Sequence, residues 1–132
     1  MRLYLAGPMS GIPQHNFPAF DSAAAALRAL GYEIVSPSEL DDPEERARCL
    51  ASPDGTGFGK DSWGTLLGRD VALIADSVDG IVFLPRWYES RGARLEAQIG
   101  LLCDLQFWQW VDIIGCHELT RRDVALKLYL AA

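Results

Sequence analysis

Three observations predict an α/β fold built on a parallel sheet. Short apolar segments alternate along the chain with longer helical patterns, as strands joined by right-handed helical crossovers require. One of these segments, "GIVFLP" (80–85), carries no polar side chain, which suits a strand covered on both faces. The segments end in clusters of Gly, Pro and Ser, where such a sheet places its loops.

The elements follow in order. "RLYLA" (2–6) is a strand stopped by the breaker-rich "GPMSG". "FPAFDSAAAALRALG" is a helix with an alanine and leucine stripe, ended by Gly31, and "YEIVSP" (32–37) is the second strand. A short helix is expected at 43–50, and "ASPDGTGFGK" (51–60), dense in glycine, reads as a mobile loop. Residues 61–77 are helical with Asp61 as N-cap, and strand three is 80–85. "RGARLEAQIGLLCDL" is a third long helix, "QFWQWVDII" contains a fourth strand, and Thr120 caps a closing helix, "TRRDVALKLYL". One domain over 1–132 is long enough to bury a core of its own.

Composition narrows the function classes. The formal charge is −6, so bulk attraction to a nucleic acid polymer or an anionic membrane is not expected. Within that acidic chain Arg86, Arg91 and Arg94 cluster around one turn, which fits a small anionic ligand better than a polymer. Cys49, Cys103 and Cys116 are widely spaced, and His15 and His117 lack neighbours at metal-ligand spacing. Neither a metal site nor a disulfide framework is expected, and a reducing cytoplasm is. No signal peptide is read at the N-terminus, and no apolar run approaches the ~18 residues of a membrane span.

Ligands of open α/β sheets sit at the carboxyl ends of the strands. Three segments converge there: "GPMSG", "SPSEL" and "RWYESRG". In the last, Ser90, Arg91 and Gly92 open a helix, where backbone N–H groups, a hydroxyl and a guanidinium can receive an anion; the same residues also fit a plain serine N-cap beside a solvated arginine. Glu96 lies one turn further on and on the same helix face, either aimed into the crevice or solvent-exposed. Tyr4, between Leu3 and Leu5, is a core phenol bonded to backbone or one oriented towards a carboxylate; Asp70 sits in an otherwise apolar helix pattern. Trp87, in the loop, is a candidate for stacking on a nucleobase, whereas Trp63, Trp108 and Trp110 read as core or interface, and His15 as a loop residue rather than a general base.

Together "RLYLAGPMSG", "NFPAFDSAAAALRALGYEIVSP" and "SWGTLLGRDVALIADSVDGIVFLPRWYESRGARLEAQIG" resemble the nucleoside 2-deoxyribosyltransferase-like superfamily over roughly residues 2–104. The branch resembled is one common in phages and prophages and is similar to nucleoside 5′-monophosphate N-glycosidases. The resemblance implies a flavodoxin-like, Rossmann-like sheet of about five strands with helices on both faces, often in homodimers. It implies cleavage of the N-glycosidic bond of a (deoxy)nucleoside or its 5′-monophosphate, with sugar transfer to water or another base and no cofactor or metal. It also assigns roles. Glu96 matches the nucleophile, Tyr4 its orienting phenol, Asp70 the acid at the base, and Ser90 with Gly92 the phosphate loop. The substrate-binding candidates are Gly7, Met9, Ser10 and Gly11, then Asn16, then Trp87, Ser90, Arg91 and Gly92. A non-catalytic nucleotide-binding module would use the same anion loop without needing Glu96, Tyr4 and Asp70, and an assembly protein would need none of them.

Overall fold

A computed structural model describes residues 1–56, 63–111 and 115–132, with the side chain of Trp63 left out. The expected N-cap at Asp61 and part of the glycine-rich stretch 51–60 therefore lie outside the described residues. Five strands form one sheet in the order β2-β1-β3-β4-β5, where β1 is Arg2–Ala6, β2 Glu33–Val35, β3 Gly80–Phe83, β4 Gln106–Val111 and β5 Gly115–Leu119. The first four pair in parallel, as expected. The last strand corrects a purely parallel sheet, because β5 runs antiparallel to β4. Its sequence, "GCHEL", has no apolar alternation, and its half-exposed edge position demands none.

Helix α1 (Phe17–Ala29) lies on one face of the sheet, and α3 (Trp63–Ser77), α4 (Arg91–Leu102) and α5 (Arg121–Ala131) on the other; α2 (Pro43–Leu50) follows the β2 loop. The period of two along β1 decides what each residue meets. Leu3 and Leu5 pack with Phe20, Ala24 and Leu27 of α1, whereas Tyr4 and Ala6 face Ile74 of α3 and Ala97 of α4. The strand thus turns its one phenol towards α3 and α4, the helices that carry Asp70 and Glu96.

Helix α4 buries Ala93, Glu96, Ala97 and Gly100, the i, i+3, i+4, i+7 stripe of an amphipathic helix. Gly100 sets how close it lies: a Cβ there would come within 2.8 Å of Ile81 and Phe107 side-chain atoms. Glu96, one turn earlier on that stripe, is drawn down with it. At the C-terminus Thr120 caps α5 in a reciprocal box with Asp123, as expected from its position. No helix among the described residues is long and apolar enough to cross a membrane.

Candidate active site

A crevice of about 980 Å³ opens at the carboxyl ends of β1, β2 and β3, at the point where the strand order reverses. Its walls bring together the three loops expected there. Gly7, Met9, Ser10 and Gly11 line one side, Leu40, Asp41 and Asp42 a second, and Arg86, Ser90, Arg91 and Gly92 a third. Asp70 and Glu96 line it as well, while Leu66, Leu67, Phe17 and Phe20 supply apolar surface.

At the crevice floor Glu96 is only 6 % exposed, and its carboxylate accepts a hydrogen bond from the buried Tyr4 hydroxyl. Burial pushes Glu96 up to about 8; the Tyr4 bond works against this, and the Asp70 charge adds to it. Burial also raises Asp70, opposed by the adjacent Arg69 guanidinium. Tyr4 itself is pushed well above the ordinary phenol range, first by burial and then by the Glu96 and Asp70 charges. Of the two roles open to Tyr4, the phenol oriented on a carboxylate is the one found.

The wall after β3 is built differently. Ser90 caps α4, its Oγ accepting from the Ala93 N–H at 3.2 Å, so the capping role is filled and the hydroxyl still borders the crevice. The N–H groups of the first turn of a helix have no acceptor within that helix, which is what suits such a turn to anions. Gly92 is informative because its described neighbours make no demand for glycine there. Among the described residues a Cβ would meet nothing nearer than Ser90 Oγ at 3.9 Å. Arg86 pairs with Glu89 at 2.7 Å, and Arg94 turns away to the Ala131 carbonyl at 3.3 Å, so of the three clustered arginines only Arg86 and Arg91 border the crevice.

Two expectations are corrected. Trp87 is 2 % exposed and stacks on Phe83 with ring centroids 4.2 Å apart, so it belongs to the core and presents no face to a nucleobase. Asn16 does not line the crevice; its Nδ2 donates to the Pro8 carbonyl at 2.9 Å and fastens the first loop. Of the other tryptophans, Trp110 is core and Trp108 packs partly buried against it.

Sequence reasoning passed over Arg69 and Asp41, and it read His15 as a loop residue. Arg69 reaches Asp70 with Nε at 3.0 Å and Asp41 with Nη1 at 3.1 Å. Neighbours on a helix point about 100° apart, so spacing alone gives no reason to pair residues 69 and 70; only the length of the arginine side chain does. His15 sits in a left-handed run with Gln14 and Asn16, at φ of 52°, 58° and 61°. It is buried beside the crevice, and Nε2 has no hydrogen-bond partner among the described residues. A backbone held that way is uncommon outside glycine and concentrates at functional loops.

Comparison with known families gives a match over residues 1–108 to the family described as "Domain of unknown function (DUF4406)". The chain belongs to DUF4406. The matched region contains Tyr4, Asp70, Glu96 and the Ser90–Gly92 turn, and it ends in β4, before β5 and α5. No curated protein matches this DUF4406 chain.

Proposed function

We propose that the protein cleaves the N-glycosidic bond of a nucleoside 5′-monophosphate, or of a nucleoside, with Glu96 as nucleophile. The observation that carries this reading is the Glu96 carboxylate, set in the buried stripe of α4, met by the Tyr4 hydroxyl and bordering the crevice. An ionisable group placed in an apolar stripe weakens a fold, so its presence asks for a chemical reason.

The step follows from the groups present. A Glu96 oxygen bonds to the anomeric carbon as the bond from that carbon to the base nitrogen breaks. The electron pair leaves with the base, which takes a proton from Asp70. Water or a second base then attacks the anomeric carbon, Asp70 accepts the incoming proton, and the Glu96 carboxylate is released. Ser90, Gly92 and Arg91 suit a 5′-phosphate at the mouth of α4, and the space that the described residues leave over Gly92 favours the monophosphate.

The test is to quench the protein during turnover of deoxynucleoside 5′-monophosphates and nucleosides and to weigh its peptides. A sugar adduct on the peptide containing Glu96 is expected. Nucleotides recovered intact, with thermal stabilisation of the protein and no adduct, would instead support a binding module.

A further inference from the structure

The cleavage proposed above needs two carboxyl groups in opposite states, an anion at Glu96 and a proton on Asp70. The floor of the crevice works against that division. Glu96 is the more deeply buried of the two, and the guanidinium that touches Asp70 favours its anion. The groups facing Asp70 are Arg69 on its own helix, Asp41 from the loop after β2, Tyr4 from β1 and Glu96 from α4.

Arg69 is not committed to Asp70. It makes one contact to Asp70 at 3.0 Å and one to Asp41 at 3.1 Å, so a single cation is divided between two carboxylates. Asp41 is well placed to hold its share. Its side chain is only 15 % exposed, and the segment that carries it is anchored on both sides. Arg28 grips Glu39 at 2.6 Å and the Ile34 carbonyl at 2.9 Å, while Arg46 grips Asp21 at 2.5 Å and the Ser38 carbonyl at 2.7 Å. A guanidinium offers several donors in a fixed fork, so it can serve two carboxylates at once where a lysine ammonium on its flexible stem would act as a point charge.

We propose that Asp41 is a positioning residue for this site: by drawing the Arg69 guanidinium partly away from Asp70, it leaves Asp70 able to hold the proton that the departing base requires. The inference rests on the glycosidase reading for its use, but the charge arrangement itself can be tested without turnover.

The test is a carboxyl-carbon NMR titration of the intact protein, labelled at Asp and Glu, in wild type, Asp41→Asn and Arg69→Lys. In Asp41→Asn the guanidinium falls wholly to Asp70. Its titration midpoint moves to lower pH, and the Glu96 midpoint moves to higher pH beside a more anionic Asp70. Base release by this variant then falls several-fold, most at alkaline pH, as the acid is lost. In Arg69→Lys the cation remains but no longer forks, so adding Asp41→Asn to it moves the Asp70 midpoint less than it does in wild type. Midpoints unmoved by Asp41→Asn, or the two carboxyls shifting in the same direction, would overturn the inference. Those results would do so even if wild type released base normally. Absence of base release from wild type, with the midpoints moving as described, would sink the glycosidase reading and leave the charge arrangement standing.

Discussion

The floor of the crevice and the turn that forms its rim are both polar, but for different reasons. At the rim, Ser90 caps a helix and Arg86 pairs with Glu89, arrangements that local chain geometry explains by itself. At the floor, Tyr4, Asp70 and Glu96 come from β1, α3 and α4, and no local rule brings them together. Burial raises both carboxyls there, so the fold keeps a group it would be more stable without. The difference teaches where to look for chemistry: the rim is explained by local folding, except at Gly92, while no local rule accounts for the floor.

Substitutions at the floor should therefore change turnover and pH behaviour, and those at the rim should change affinity. The largest effect is expected at Glu96. Glu96→Gln should lower base release by roughly a thousandfold or more, as loss of a nucleophile does. It should also stabilise the fold at alkaline pH. The folded Glu96 holds its proton up to about 8, whereas the unfolded chain releases it near 4.5. Wild type consequently loses stability as pH rises through that window, by on the order of a few kcal/mol, and the glutamine variant escapes the loss. Denaturant midpoints at pH 5 and pH 9 check this; a glutamine variant less stable than wild type at pH 9 would break the contrast between floor and rim.

Asp70→Asn comes next, with an expected loss of about 10²–10⁴ in base release, the usual share of acid–base assistance. Tyr4→Phe should follow. Removing the donor takes away a bond that favours the Glu96 anion, so the pH at which base release sets in should move upwards. A pH–rate profile of kcat/KM reads the shift. The smallest and sharpest effect belongs to the rim. Gly92→Ala should raise stability by up to about 1 kcal/mol, since alanine is the better helix former and its Cβ has room. The same methyl should weaken binding of a 5′-monophosphate by about tenfold, some 1.4 kcal/mol, and leave a free nucleoside unaffected. Equal weakening of both ligands, measured by calorimetry, would remove the phosphate from this turn.

Much of this architecture was legible from residue pattern. The strand β1, the helix α2 and the Thr120 cap fall where apolar runs, capping residues and breakers indicate. The edge strand β5 was not, because "GCHEL" lies half in solvent and its pairing, rather than its side chains, makes it a strand. Within the site, Glu96 and Ser90 could be located from their offset to a strand-to-helix turn. Trp87 misled for a physical reason: a loop position suggests exposure, but the ring folds back onto Phe83 and fills the core. Asp41 and Arg69 carried no signal, since their meeting is a contact across 28 residues that only the tertiary structure makes.

The most direct measurement is chromatographic. Wild type and Glu96→Gln are incubated from pH 6 to pH 9 with a panel of nucleosides and 5′-monophosphates, with and without a second free base, and the released base is followed. The floor chemistry predicts release by wild type alone, passing through a maximum where Glu96 is ionised and Asp70 still holds its proton, with monophosphates preferred. No release from any substrate at any pH, or equal release by the glutamine variant, would contradict it.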